Sequence, residues 1–365
     1  MTLRAGVTCA ALVATAVAVP PHRPTPSRSD VSPGIFLYQT PPYGDVGLDG
    51  NSIVITSTDG VLVFDSNGTP SAAAAVLADI RTLTGQPVRY VVNSHWHWDH
   101  WYGTEVYAAA FAGMRVVAHE ATRRMMMGPA LEFNRPGLEK QLPDYVQFRE
   151  QKAAGARAAT PPAQDADRLE QLASDDRFFL EQKRGVHHTF PDVTFESALH
   201  LYFGGRHVEV LHHDRAVTPG DTFLYLPDEK VLVTGDLLVN PVSFALSCYP
   251  TGWLQTLERI DALDFNTIVP GHGPVLHDRE LLHATMEVFR TLLREGKAAR
   301  AKGLSADQAR DTVMPGLHGL MVKITHDDPA INDAFRVQLV DWYMHRVYDE
   351  LSGPLTDAIA SIPAQ

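Results

Sequence analysis

The stretch Val88-Arg89-Tyr90-Val91-Val92-Asn93-Ser94-His95-Trp96-His97-Trp98-Asp99-His100 joins a β-type run to three histidines and an aspartate within six residues. The β-branched and aromatic run suits a pleated, half-buried strand. Imidazole and carboxylate are the ligand set of zinc and other borderline divalent ions. His95 and His97 share a parity, so an extended turn can point both the same way. Asp99 and His100 can then face a second position beside the first. The spacing reads as a two-metal pocket built at the end of a buried strand.

Strands and helices can be placed outward from this point. On the N-terminal side, residues 35–38, 52–56 and 61–65 read as strands with Gly and Asp turns between them. Residues 70–83 read as a helix that Thr69 or Ser71 can cap. On the C-terminal side, a helix is expected over 101–111 and a strand over 115–118. Residues 120–185 break the rhythm: they are polar, Ala- and Arg-rich and helical in pieces, and read as an insertion able to cover the pocket. Strands resume at 199–203, 207–211, 222–226 and 231–234, with a short one at 267–269. Helices are expected at 253–263, 278–301, 306–313 and 333–351. Two strand groups, each followed by helices, predict two packed sheets with helices outside rather than a doubly wound parallel sheet.

Further candidate ligands recur at strand ends. Thr234-Gly235-Asp236 ends one hydrophobic strand and Pro270-Gly271-His272-Gly273-Pro274 ends another. The two oxygens of a carboxylate can bind separate cations, and glycine beside a ligand lets the backbone approach closely.

Composition sets the outer limits. The chain has 365 residues, 45% hydrophobic and 20% charged, which is ordinary for a globular enzyme. A net charge of −12 argues against nucleic acid or an anionic membrane as the main partner. Arg4 followed by the small, apolar run Ala5 to Val19 reads as an export signal, with small-x-small patterns at Ala14-Thr15-Ala16 and Ala16-Val17-Ala18. The run is too short to span a membrane. Cleavage near residue 18 removes Cys9 and leaves Cys248 alone, so no intrachain disulfide is expected. The expected organisation is therefore a signal peptide over 1–18, a Pro- and Ser-rich flexible lead-in over 19–33, and a main domain over 34–300. An insertion falls near 120–190 of that domain, and a helical extension occupies 301–365. The expected location is periplasmic or secreted, the expected partner is a small-molecule substrate, and no stable membrane insertion is expected after signal removal.

From about residue 34 to 300 the chain resembles the metallo-β-lactamase superfamily. The motifs that carry the likeness are the His95/His97/Asp99/His100 cluster, Thr218-Pro219-Gly220-Asp221, Thr234-Gly235-Asp236 and Pro270-Gly271-His272-Gly273. Asp65 matches the aspartate that ends an early strand and braces the metal loop. The resemblance implies an α+β, αββα sandwich: two packed mixed β-sheets flanked by helices, with metals at one edge. It implies zinc, one or two ions, with iron or manganese as alternatives. It assigns His95 and His97 to a first metal, Asp99, His100 and His272 to a second, and Asp236 between them.

The implied chemistry is hydrolysis by water whose pKa a metal lowers from about 15.7 to about 7. Asp99 would orient that water or accept its proton. The implied substrate is a small ester, lactone, thioester or β-lactam. Asp236 argues against the main zinc β-lactamase group, where a cysteine plays that part.

The sequence departs from the family at one ligand. A histidine normally stands directly before the Thr-x-Gly-Asp turn; here the residue is Val217. The first-metal site is therefore expected to be incomplete. Three outcomes stay open. These are one ion in the Asp99/His100/His272 pocket alone, substitution by His212 or His213, or an empty first site in a weakly catalytic or non-catalytic binding protein. Substitution by His213 has to cross four residues of strand offset, roughly 13 Å. Trp96, Trp98, Trp101 and Tyr102 are expected around the ligands, either lining an apolar pocket or packing beneath the loop. Met125-Met126-Met127 reads as helix packing. His119, His187, His188, His200, His207 and His277 show no ligand partner at a suggestive spacing.

Overall fold

The computed structural model describes residues 20–357 except 24, 43 and 45–47, together with residue 359. The expected signal peptide over 1–18 lies outside the described residues.

Two sheets form the centre. The first has seven strands in sequential order: β1 (Ser27–Ser32), β2 (Ile35–Gln39), β3 (Ser52–Thr56), β4 (Val61–Phe64), β5 (Val88–Val92), β6 (Arg115–His119) and β7 (Val193–Phe195). Pairing is antiparallel from β1 to β4 and parallel from β4 to β7. The second sheet contains β8 (Ala198–Phe203), β9 (Arg206–Leu211), β10 (Phe223–Leu226), β11 (Val231–Gly235) and β12 (Thr267–Pro270), antiparallel except for the parallel β11–β12 pair.

The period of two along each strand decides which core a side chain enters. Ile53, Ile55, Leu62 and Phe64 face the second sheet, where they meet Leu224, Leu226, Val231 and Val233. Val54, Val61 and Val63 alternate outward, under α1 (Pro70–Leu83) and α2 (Thr104–Ala110). Leu232 likewise turns away from the sandwich toward the second helical layer. Each such side chain contributes roughly 1.5–3 kcal/mol when fully buried. A one-residue slip would exchange the two faces, so the register is strongly fixed. Thr69 caps α1: its hydroxyl accepts from the Ala72 amide at 3.3 Å, with Pro70 at the first helical position.

The insertion between β6 and β7 is helical throughout most of its length. It comprises α3 (Glu120–Met126), α4 (Pro129–Pro136), a π-helical stretch over Gly137–Gln141, α5 (Leu142–Ala158) and α6 (Ala166–Arg184). The second sheet's outer face is covered by α7 (Pro250–Asp261), α8 (Glu280–Ala301) and α9 (Ala306–Thr325). Beyond them lie α10 (Pro329–Ala334), a π-helical stretch over Phe335–Asp341 and α11 (Trp342–Ser352). The helices over 306–352 pack into the main body: Leu317, Phe335, Tyr343 and Val347 share one core with Trp253, Leu257 and Phe289. Among the described residues no helix is long and apolar enough to cross a membrane.

The expected lead-in is corrected in part. Ser27–Ser32 is an ordered edge strand paired with β2 through a tight turn at Pro33-Gly34. Its side chains are largely exposed, so it is held by backbone pairing rather than by an apolar face that composition could reveal. β7, only three residues long, is likewise absent from the sequence reading.

The parallel pairs matter most for function. Phe64 lies beside Val92 and Gly235 beside Pro270, so β4 and β5 in one sheet, and β11 and β12 in the other, run out together. Asn51 ties the two edges: its amide donates to the Gly271 carbonyl, and its side chain to the Pro270 and Gly273 carbonyls, each at 2.8 Å. The Thr222 amide donates to the Ser94 carbonyl and makes a second tie.

Candidate metal centre

Three strand ends deliver the candidate ligands and a fourth the residue that braces them. Asp65 follows β4, His95 to His100 follow β5, Asp236 follows β11 and His272 follows β12. Their donor atoms converge as two groups, His95/His97/Asp236 and Asp99/His100/His272. Asp236 faces both. Its Oδ2 lies 3.5 Å from His95 Nε2 and 3.9 Å from His97 Nδ1, while Oδ1 lies 3.2 Å from His100 Nε2 and 3.6 Å from His272 Nε2. Asp99 Oδ2 is 3.1 Å from His272 Nε2 and 3.4 Å from His100 Nε2.

Asp65 organises this cluster from behind. It is buried, at a positive φ of 58°, a left-handed conformation that aspartate adopts more readily than most non-glycine residues. One oxygen accepts from the Ser94 amide at 2.7 Å; the other accepts from the Ser94 hydroxyl and from His100 Nδ1, both at 2.7 Å. A hydroxyl has one proton. Since Ser94 gives it to Asp65, Ser94 can only accept from His95 Nδ1 at 2.8 Å. Both His95 and His100 in their neutral forms therefore carry the proton on Nδ1 and present a bare Nε2 to the cluster, the arrangement by which a carboxylate orients metal-ligating histidines.

The electrostatics match that layout. Burial pushes His95 down to about 3, which keeps its imidazole neutral. Burial also raises Asp65, against the opposing pull of His100. Burial disfavours charge on His100 too, but Asp236, Asp99 and Asp65 together hold its pKa well above the ordinary value. Asp99 and Asp236 would rise through burial, yet the imidazoles around them hold both well below the carboxylate range. Protons and a cation therefore compete for one set of atoms.

A divalent cation fits these residues. His95 Nε2, His100 Nε2 and Asp236 Oδ1 are buried and have no hydrogen-bond partner, although they point at one another. Buried polar atoms without partners are costly unless something satisfies them. Four imidazoles and two carboxylates in close convergence suit zinc, and also iron or manganese. Space is reserved as well: a Cβ on Gly271 would stand 2.1 Å from Asp236 Oδ1, and one on Gly50 would stand 2.5 Å from the His100 ring.

Val217 is buried in the outer core of the second sheet and contributes no donor. His213 is corrected as a substitute ligand: its ring packs edge-on to Phe223 at 5.0 Å and belongs to neither group. His212 Nδ1 is bonded to the Asp221 carbonyl at 2.8 Å, and its ring stacks on His119 at 3.9 Å. Asp221, raised to about 7 by burial, braces its own turn by accepting from the Thr218 amide and hydroxyl at 2.7 and 3.0 Å. The first group thus holds two imidazoles and a shared carboxylate.

A cavity of about 360 Å³ opens above the two groups, with Asp99, Asp236, His97 and His272 in its floor. Of the four aromatics beside the ligands, Trp96 and Trp98 line it. Trp101 and Tyr102 pack beneath the loop with Met125 and Met126, and the Trp101 indole donates to the Trp96 carbonyl at 3.0 Å. Met127 is exposed, unlike its two neighbours.

Several participants escaped the sequence reading. Phe133 and Asn134 of α4, Phe244 of the loop after β11, and Gln338 of the second π-helical stretch all line the cavity. Lys183 of α6 reaches beneath the metal loop, with Nζ 3.2 Å from the Trp98 ring centroid and 4.2 Å from that of Tyr102. Burial holds its pKa well below the usual lysine value despite Asp99 and Asp49. His200 and His207, expected to have no ligand partner, meet across the β8–β9 hairpin at 3.2 Å with Glu209 alongside. Cross-strand register, with His200 opposite Glu209, brings them together and is not visible as sequence spacing.

The profile of the metallo-beta-lactamase superfamily matches residues 45–272. The chain is 22% identical over 254 residues to a linear primary-alkylsulfatase of Pseudomonas sp. (strain ATCC 19151), covering 65% of this chain and 44% of that protein. It is 28% identical over 117 residues to a metallo-beta-lactamase type 2 of Bacillus cereus, covering 30% of this chain and 44% of that protein. The chain thus spans less than half the length of either curated relative. Among solved structures, a metallo-beta-lactamase from Pontibacter korlensis superposes with a TM-score of 0.52 at 18% identity, covering 73% of this chain and 99% of that one. The stereoselective inverting sec-alkylsulfatase Pisa1 from Pseudomonas sp. superposes with a TM-score of 0.57 at 16% identity, covering 89% and 50% respectively. By fold, strand-end ligand pattern and profile match, the chain belongs to the metallo-beta-lactamase superfamily.

Proposed function

We propose that the protein is an exported, metal-dependent hydrolase of a small ester, lactone, thioester or β-lactam. The observation that supports this most is the convergence of His95, His97, Asp99, His100, Asp236 and His272 on the floor of an open cavity. A divalent ion held by such residues supplies Lewis acidity, acidifying water and polarising the group under attack. Asp99, His100 and His272 would hold the more tightly bound ion, with Asp236 Oδ1 close to both imidazoles. His95 and His97 form the weaker pocket, because Val217 offers no third imidazole. Asp65 and Ser94 fix the ring tautomers of His95 and His100. Asp99, kept ionised by the imidazoles of His100 and His272, can orient an attacking water. The apolar walls above exclude bulk water and strengthen electrostatics at the floor.

Elemental analysis of purified protein, with turnover on a panel of these four substrate classes, tests the reading. The expected result is bound zinc or a related ion with turnover that His272→Ala removes along with the metal. Bound metal with no turnover on any class would instead support a binding protein with a decayed site, which Val217 favours. Export rests on Arg4 and the apolar Ala5 to Val19 run. Mass spectrometry of the mature protein should find a chain starting after Ala18, and an intact N-terminus would contradict export.

A further inference from the structure

The cavity walls carry information about the substrate that the ligand cluster does not. Its apolar lining includes Leu48, Trp96, Phe133, Val242, Phe244 and Leu246. The polar groups above the floor are neutral: the amides of Asn134, Asn240 and Gln338 and the Ser247 hydroxyl. The ionisable side chains lining it all belong to the ligand groups, and among the described residues no lysine or arginine lines it.

Two of these walls are built by segments packed onto the sandwich from outside. Phe133 stands on α4 of the insertion, edge-on to Trp96 at 6.0 Å. Phe244 faces it from the loop after β11, edge-on to the His97 ring at 5.8 Å. The C-terminal layer fixes that loop: Trp342 meets Phe244 edge-on at 4.7 Å, and the Ala245 amide donates to the Gln338 carbonyl at 2.9 Å. A π-helical stretch presents Gln338, a distortion often found at functional sites. The cavity volume lies toward the small end of ligand pockets, which run from about 300 to about 1,000 Å³.

With one divalent ion held in the floor, the two floor carboxylates offset its charge, and the walls offer an anionic substrate group no guanidinium or ammonium to pair with. Recognition of carboxylate or sulfate ordinarily uses such a partner, and desolvating an anion against apolar walls is costly. A neutral body with an alkyl or aryl portion meets neither penalty. Resting on the hydrolase reading above, we infer that the substrate is an uncharged ester or lactone with an apolar tail, gripped between Phe133 and Phe244 and oriented by the Asn240 and Gln338 amides. The alkyl portion named in the alkylsulfatase relatives suits these walls; the charged headgroup does not.

A matched pair of probes tests this on the metal-loaded protein. Methyl nonyl ketone is a non-hydrolysable carbon isostere of octyl acetate, and octyl sulfate carries a similar chain with an anionic head. Binding is read from the fluorescence of the tryptophans lining the cavity. The ketone should bind at least about tenfold more tightly than octyl sulfate, a difference of about 1.4 kcal/mol. Phe133→Ala and Phe244→Ala should each weaken the ketone. Gln338→Arg, which adds a cation at an exposed lining position without removing an apolar wall, should narrow or reverse the preference. Equal or tighter binding of octyl sulfate by the wild type, or no binding of either probe, would overturn the inference. Octyl acetate that binds in competition with the ketone, with neither it nor any member of the four-class panel cleaved, would sink the hydrolase reading and leave this assignment standing.

Discussion

The two ligand groups share one carboxylate and one loop yet are built to different standards. His100 is held from behind by Asp65 and faces Asp236 and Asp99 in front. His272 sits on a glycine-flanked turn that Asn51 ties to the first sheet. The first group begins well, with His95 locked through Ser94, but continues to His97, whose ring is positioned by edge contacts to Trp96 and Phe244. Where a third imidazole is expected, Val217 turns into the core. The difference teaches that one strand-end loop can serve two sites while the quality of each is decided elsewhere: by β12 for one, and by the turn after β9 for the other.

The comparison can be broken by substitution. Asp236→Ala should have the largest effect, since it removes the one side chain facing both groups; metal content by elemental analysis should fall to background. His272→Ala comes next and should abolish the tighter ion, whereas His97→Ala should change the affinity of that ion least. A chelator-competition titration separates the two, and equal losses would show that the groups are equivalent. Asp65→Asn should be milder. Asparagine tolerates the left-handed backbone and keeps an acceptor for Ser94, so the fold is retained. Loss of the charge behind His100 should lower metal affinity by about 10–100-fold, as for other outer-shell partners. The thermal transition of the metal-free variant should stay close to that of the metal-free wild type. A large drop there would mean that Asp65 serves folding rather than the metal.

Much of this contrast was legible in the sequence because it is local. A strand that ends in His-x-His-x-Asp-His, another that ends in Gly-Asp and a third in Gly-His carry the family resemblance, and with it the sandwich, and mark the side chains that converge at its edge. Val217 was readable for the same reason, lying at a fixed place before a turn. What resisted reading depends on contacts between distant segments. β1 has no buried face and is held by its neighbour's backbone. Phe133 and Gln338 reach the cavity from an insertion and from the far C-terminal layer, and neither lies in a pattern that separates a wall residue from an ordinary core residue. His200 and His207 meet only once the hairpin register is set. The C-terminal region, expected to be an extension, shares a core with α7 and α8 because its apolar stripe finds its partner across that layer.

The central claim is that the Asp99/His100/His272 pocket works while the His95/His97 pocket lacks a ligand. It is tested most directly by metal stoichiometry of the wild type beside Val217→His, measured on protein equilibrated with the same buffered zinc. The account predicts one ion per chain in the wild type and a second, with a higher hydrolytic rate, in the variant. Two ions already bound to the wild type would contradict it and point to a substitute ligand.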